Sequence, residues 1–278
     1  MKSDYTIAKA IYHGVCILRN TEDPRLEAEL LLAHSLNVSR TWIAAHPDTT
    51  LTEPAIMVYN NCLQLRTDGE PLPYLVGYWE FYGIDFAVDK RALIPRPETE
   101  MIVEYTLSIV GNHSHARIVD VGTGCGTIAI PLAISLPNAL LFATDISKDA
   151  LSLARSNSIR HGVLDRIDFV QADLLTCMSR FDVICANLPY LTTLETDTLL
   201  VGEHEPHIAL DGGANGLNII RQMISTASKH LNDGGSLLME FGNSSNTILE
   251  MARYYFGHAD CKLLPDLSGR PRMLQVIT

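Results

Sequence analysis

The chain has 278 residues, 47% of them hydrophobic, and its 21 Lys plus Arg against 32 Asp plus Glu leave a formal charge of -11. That is material for one large or two smaller domains with a buried core, and it excludes a disordered chain. The acidic balance opposes nonspecific attraction to nucleic acid or anionic membrane.

The six cysteines are scattered, with no Cys-x-x-Cys pair and no Cys/His cluster. Neither a zinc site nor a disulfide framework is expected, and a reducing cytosol fits. Met1 to Tyr5 reads as no signal peptide, because an acid and polar residues interrupt what would be the apolar region. No apolar run approaches the length of a membrane span. The expectation is a cytoplasmic protein with no membrane partner. Arg91 with Arg96, and Arg270 with Arg272, are the small basic clusters, read as solvated or ion-paired.

Up to about residue 70, apolar residues recur at helical spacing. Ile7, Ile11, Val15 and Leu18 form one stripe, with Ser3 as its N-cap. Asp23-Pro24 starts a second helix, whose face runs through Leu26, Leu30, Ala33 and His34. Thr52-Glu53-Pro54 opens a third, with Ile56, Tyr59, Leu63 and Arg66 along it and Gly69 as its stop. His34 and His46 show no ligand pattern. This is a small helical bundle without catalytic signals. Pro71 and Pro73 then break helical continuity. Val76 to Val88 alternates aromatic and polar residues around glycines, the pattern of a two-stranded hairpin. Its aromatics serve as core or as a ligand wall, two settings they dominate equally. A loop follows from Ile94 to Glu100.

From about residue 101 strand and helix alternate. A helix from Glu100 to Val110 precedes strand Arg117 to Val121. A helix through Ile128 to Ile130 leads to strand Ala139 to Asp145, and helix Lys148 to His161 to strand Ile167 to Val170. The apolar strand Phe181 to Ala186 comes next, then helix Leu217 to Leu231 and strand Ser236 to Glu240. A helix from Thr247 to Phe256 and two strands, Cys261 to Leu264 and Met273 to Ile277, close the chain. Such alternation predicts a mainly parallel, doubly wound sheet.

Asp120-Val121-Gly122-Thr123-Gly124-Cys125-Gly126 joins the first of these strands to its helix. Glycines there let the backbone turn sharply and approach a ligand beside a helix N-terminus. The spacing is Gly-x-Gly-x-Gly, not the Gly-x-Gly-x-x-Gly of dinucleotide binders. Asp145 closes the next strand roughly 20 residues on, where an acid accepts from ribose hydroxyls. Asp173 and Leu174 end the third, placed for an adenine pocket with one polar acceptor and one apolar wall. The set suits S-adenosylmethionine, a ligand without pyrophosphate, with S-adenosylhomocysteine as product. Cys125 has no His nearby in sequence to activate it and is set aside as a nucleophile.

Asn187-Leu188-Pro189-Tyr190 follows the apolar strand, just past its carboxyl end, where open α/β sheets bind ligands. An Asn side-chain oxygen and nearby backbone carbonyls are neutral acceptors for a planar NH2 group. On its own the tetrapeptide does not separate an amide from an adenine.

Glu70-Pro71-Leu72-Pro73-Tyr74-Leu75-Val76-Gly77, Glu80-Phe81, Leu93 to Glu100 with its Arg-Pro-Glu-Thr-Glu segment, Asp120 to Gly126, Asn187 to Tyr190, Glu205-Pro206 and Gly212-x-x-x-Gly216-Leu217 occur in that order. Together they resemble the HemK (PrmC) family of peptide chain release factor glutamine methyltransferases, over nearly the whole chain. The resemblance implies an N-terminal helical bundle (1-72), a β-hairpin linker (73-98) and a class I Rossmann-like methyltransferase domain with a mostly parallel seven-stranded sheet (99-278). It implies methylation of the glutamine amide in a Gly-Gly-Gln loop and release factors as partners; these segments and the charge of -11 argue against direct nucleic acid contact, and a monomer is expected. It assigns Gly122 to Gly126 and Asp145 to the cofactor, Asn187 and Pro189 to the substrate amide, and Tyr190 to shaping the pocket. Leu188 replaces the first Pro of the family's Asn-Pro-Pro-Tyr but keeps the carbonyl, and Leu174 stands where the family often has Trp. Asn-Leu-Pro-Tyr is also the form found in adenine-amine methyltransferases of ribosomal RNA, the nearest rival, and a non-catalytic cofactor-binding adaptor is the third reading. Glu205 and Glu240 are left between a site role and ordinary ion pairs.

Overall fold

The computed structural model describes residues 5–111 and 115–278, which divide into two compact units after Tyr78. In the first unit, α1 (Ile7–Ile17) is capped by Thr6, which accepts from the Lys9 N–H; Ser3, the expected cap, lies outside the described residues. The helix buries Ile7, Ala10 and Gly14, while the larger Ile11 and Val15 are half-buried. Ile7 and Leu18 of the expected stripe are buried, but between them the closest contact shifts to Ala10 and Gly14, because Tyr59 crosses at Gly14. A Cβ there would stand 2.0 Å from the Tyr59 hydroxyl, which donates to the Ala10 carbonyl (3.2 Å).

Asp23 caps α2 (Pro24–Leu36) by accepting from the Leu26 N–H. The buried face is Glu27, Ala28, Leu31, Leu32 and Ala33; Leu26 and Leu30 are half-buried and His34 is exposed, one position off the expected stripe. Glu27 can be buried because Arg66 grips it with two N–H donors (2.7 and 3.2 Å), and a paired charge tolerates desolvation that a lone one does not. Short α3 (Arg40–Ala45) was not anticipated; α4 (Glu53–Thr67), capped by Thr52, was. The prolines expected to end the bundle instead start α5 (Leu72–Val76): Pro71 is its N-cap and Pro73 lies in its first turn, where no N–H is needed.

The second unit opens on the hairpin β1 (Tyr78–Phe81) and β2 (Ile84–Ala87), turned by Tyr82 and Gly83 at φ 53 and 72°, the two left-handed residues of a tight hairpin turn. Then come α6 (Glu100–Val110), β3 (Arg117–Val121), α7 (Ala129–Ser135), β4 (Leu140–Asp145), α8 (Lys148–Arg160), β5 (Ile167–Gln171) and β6 (Phe181–Asn187). Two short helices, α9 (Thr193–Thr198) and α10 (Leu200–His204), fill a stretch read without structure. They precede α11 (Asn218–His230), β7 (Leu231–Glu240), α12 (Ser245–Phe256), β8 (Asp260–Pro265) and β9 (Pro271–Ile277).

The sheet has seven strands in the order β5-β4-β3-β6-β7-β9-β8, parallel except for β9, which runs against both neighbours. This is the expected Rossmann-like, mostly parallel arrangement. Side chains alternate across it. Ile184, Ala186, Leu237 and Met239 meet Ile220, Met223 and Ile224 of α11 on one face, and Cys185 meets Thr106 of α6 on the other. Strand order reverses between β3 and β6. A crevice outside the carboxyl ends of the strands opens at such a switch point.

Candidate active site

The loop after β3 is fastened from behind. Asp120 is 1% exposed; its Oδ2 accepts from the Thr123 hydroxyl (2.6 Å) and the Ala129 N–H (3.1 Å). Its Oδ1 has no partner among the described residues, and burial pushes the carboxyl up to about 7. Gly122 and Thr123 both donate to the Thr144 carbonyl, and Gly124 donates to Asp145 Oδ2 (3.0 Å). Asp145 Oδ1 accepts from the Ser147 N–H, and burial raises this carboxyl too.

In front of the loop lies a cavity of about 440 Å³, with Gly122, Thr123, Gly124, Asp145, Asp173 and Leu174 in its wall. Asp120, Cys125 and Gly126 do not line it, although they belong to the same motif. Cys125 is fully buried, and burial pushes its thiol up to about 11, which leaves it inert. At Gly126 a Cβ would meet Ile130 at 2.6 Å, so this glycine lets the loop close onto the helix behind it.

Asn187 ends β6 directly opposite Glu240 on β7. Its Nδ2 donates to Thr99 Oγ1 (2.8 Å), and that hydroxyl donates to Glu240 Oε2 (2.6 Å). Burial pushes Glu240 up to about 7, against the pull of the Thr99 hydrogen bond. Leu188 is buried with its side chain over Gly122, where a Cβ would lie 2.7 Å from Cδ2. The Leu188 carbonyl accepts no backbone hydrogen bond among the described residues.

Asn187, Leu188 and Pro189 line the large cavity and also a smaller one of about 110 Å³, which Tyr190 joins. The Tyr190 ring lies on Gly242 and its carbonyl on Gly216, and burial pushes its phenol up to about 12. Leu191 pairs with the 210–212 segment through bonds of 3.0 and 2.8 Å. Arg96 borders both cavities and is held by Glu205, whose other oxygen accepts from the Ile94 N–H.

Sequence reasoning missed the placement of four residues. Thr99 sat unremarked inside the Arg-Pro-Glu-Thr-Glu segment. Glu240 and Glu205 were seen without partners, and each proves to hold one end of that segment. Asn157 of α8 accepts from the Ala87 N–H (2.8 Å) and donates to the carbonyls of Ala87 and Cys125. No residue of the hairpin strands lines either cavity; Phe81 and Phe86 pack edge to face in the core. Arg91 and Arg96 are paired with Asp89 and Glu205.

A PrmC N-terminal domain model matches residues 9–77 and a methyltransferase domain model residues 112–255. The chain is 38% identical over 261 residues to a release factor glutamine methyltransferase of Koribacter versatilis, covering 92% of this chain and 91% of that one. It is 35% identical over 277 residues to a Geobacter sulfurreducens protein of the same name, at 97% and 96% coverage. The chain belongs to the release factor glutamine methyltransferase family. Within this family member the methyltransferase fold also aligns with a methyltransferase from Pyrococcus furiosus, at TM-score 0.53 and 20% identity over 70% of this chain and 89% of that chain. Leu188, the second residue of the tetrapeptide, fills the space over Gly122.

Proposed function

We propose that the chain transfers a methyl group from S-adenosylmethionine to the side-chain amide nitrogen of the glutamine in the Gly-Gly-Gln loop of peptide chain release factors. The observation that carries this reading is the meeting of two cavities at Asn187, Leu188 and Pro189, one sized for a nucleoside cofactor and one much smaller. The large cavity fits this cofactor. Gly124 faces it with open space, the nearest atom to an added Cβ being Ala92 Cβ at 3.9 Å, so the backbone can approach a ligand closely. Asp145 stands at the strand end for ribose hydroxyls, and Leu174 and Ile146 give an apolar wall. Both arginines in the wall are already paired with carboxylates, so no phosphate cradle competes.

When bound, S-adenosylmethionine supplies an electrophilic methyl on a sulfonium sulfur. The chain supplies orientation. An amide nitrogen is a weak nucleophile because its lone pair is delocalised. The Asn187 Oδ1 and the Leu188 carbonyl can accept both of its N–H groups and aim the nitrogen, which is positioning with electrostatic help and needs no strong base. The acceptor is a protein amide in this reading because the Arg-Pro-Glu-Thr-Glu segment and the family match accompany the tetrapeptide. The same reading gives residues 1-72 a substrate-docking role, 73-98 a linking role and 99-278 the chemistry, in a cytoplasmic monomer that contacts neither nucleic acid nor membrane. Among the described residues no helix is long and apolar enough to cross a membrane.

Asn187→Ala is expected to abolish transfer to a purified release factor while cofactor affinity changes by no more than about threefold, because Asn187 aims the acceptor rather than building the loop. Labelled cofactor offered with release factor and with ribosomal RNA separates the classes. Label on RNA, or full turnover by the variant, sinks the assignment.

A further inference from the structure

Asn187 can present either an oxygen or an NH2 to the cavity, because the two ends of its amide are nearly isosteric and exchange by a half-turn of the terminal torsion. Only the oxygen accepts from a substrate N–H. An outward NH2 would face the substrate NH2 donor to donor. Something must choose between the two.

The choice is made by counting protons. Thr99 has one hydroxyl proton. It lies 2.6 Å from Glu240 Oε2, and an ionised carboxylate only accepts, so the proton is spent there. What remains toward Asn187, at 2.8 Å, is a hydroxyl lone pair. Only the NH2 end of Asn187 can satisfy it, so Oδ1 is turned away from Thr99. Oδ1 takes no partner among the described residues, while Asn187 borders both cavities. Thr99 and Glu240 are buried at 2% and 4% exposure, where such a chain is strong and its reversal leaves a polar atom unsatisfied. The backbone holds the ends in place: Asn187 and Glu240 face each other across β6 and β7, and Thr99 leads into α6, which packs on both strands.

We infer that Thr99 and Glu240 are positioning residues that lock Asn187 with its oxygen toward the methyl acceptor, and so restrict the site to acceptors that arrive as N–H donors. This rests on the proposed methyl transfer and adds the part played by two residues behind Asn187, of which Thr99 also borders the large cavity and Glu240 borders neither.

The test uses the full chain, a purified release factor and labelled cofactor, with folding checked by circular dichroism and melting. Thr99→Val keeps the shape and removes the hydroxyl. Its kcat is expected to fall about tenfold to a hundredfold with cofactor affinity held within about twofold, since only the aim of Asn187 is lost. Thr99→Ser restores the hydroxyl and is expected within about threefold of wild type. Glu240→Gln can present either its oxygen, which keeps the chain, or its NH2, which lets the hydroxyl donate to Asn187 and reverses it; its kcat is expected to fall by less than that of Thr99→Val. The double variant Thr99→Val with Glu240→Gln is expected to be no worse than the poorer single, because the residues act as one unit. If Thr99→Val does not fold, Thr99→Ala, which also removes the hydroxyl, decides.

Wild-type kcat in the decisive variant overturns the inference, and so does equal impairment of the Val and Ser variants or simple additivity in the double. Should the wild type label RNA instead of a release factor, the proposed function falls, and the same comparison on that acceptor still judges the lock. If the wild type labels neither, both fall.

Discussion

Tyr190 stands where it does because Gly216 has no side chain. A Cβ on Gly216 would lie 2.3 Å from the Tyr190 carbonyl oxygen, and the glycine sits at φ +68°, where an L residue is strained as well. The obstacle is backbone, so it cannot rotate away. Gly216→Ala is therefore expected to push the 187–190 turn off its seat. A melting temperature several degrees lower, consistent with about 2 kcal/mol of strain and displacement, should accompany a loss of kcat of at least about tenfold. Unchanged kcat in a folded variant would show that the turn does not need this support. At this scale the contiguous motifs were legible in the sequence: Asp120 to Gly126 and Asn187 to Tyr190 are short runs whose chemistry follows from residue type. The lock on Asn187 was not. Its members are 88 and 141 residues apart, and their meeting depends on which strand lies beside which. Asp120 misled for a related reason, since motif membership does not say which side of a loop a side chain takes.

The elements around the cofactor loop are joined by one buried side chain. Asn157 of α8 completes the backbone bonding of β2 at Ala87 and also donates to the Cys125 carbonyl inside the loop (2.9 Å), so it fixes the hairpin and the loop against the same helix. Asn157→Ala leaves one N–H and two carbonyls without this partner, each worth on the order of 1 kcal/mol or more when buried. The expected result is a drop in denaturation midpoint together with a cofactor affinity weakened by about fivefold or more, because the loop loses an anchor. Isothermal titration beside urea unfolding reads both, and a stability loss with unchanged affinity would confine Asn157 to the hairpin. Elements differed in how plainly the sequence announced them. The central strands β3 and β6 are buried apolar runs, and the strands' order of appearance was clear. Helices of five or six residues, such as α3, α5, α9 and α10, carry too few turns for a periodicity to emerge. On α1 the ends of the expected stripe, Ile7 and Leu18, are buried, while its middle shifts because hydrophobicity favours Ile11 and Val15 and close packing against Tyr59 favours Ala10 and Gly14.

At the scale of the whole methyltransferase unit, stability and activity are expected to run in opposite directions with pH. Asp120 and Glu240 are both raised to about 7, from ordinary values of 3.8 and 4.5, chiefly by burial, and Asp145 is raised for the same reason. A carboxyl raised in the folded state binds its proton more tightly there than in the unfolded chain. Its contribution to stability is complete below the unfolded value, near 4, and is lost as pH climbs through the folded value, near 7. Between pH 6 and 8 each of the two acids should remove about 1 kcal/mol of stability. The carboxyls shifted the other way, Asp89, Glu195 and Asp266, hold their contribution throughout that interval and lose it only in stronger acid. Activity is favoured by the opposite state, because ionised Glu240 can only accept from the Thr99 hydroxyl and so leaves Asn187 correctly turned, whereas the protonated carboxyl can also donate to that hydroxyl and reverse the chain. Glu98, Arg96, Arg272 and Tyr190 are the charged and titratable groups that act on Glu240, and the arginines favour its ionised form. The cofactor-free chain should thus unfold at lower urea at pH 8 than at pH 6, while kcat rises over the same range. Measured at high fixed salt, self-repulsion from the formal charge of -11 is screened and does not supply the slope. Glu240→Gln should roughly halve the fall in stability, since it deletes one of the two acids, and should flatten the rise in kcat. A midpoint that climbs from pH 6 to 8 in the wild type would show that these carboxyls are ionised throughout the range, and that burial on the inner strands β3 and β7 costs them less than the geometry implies.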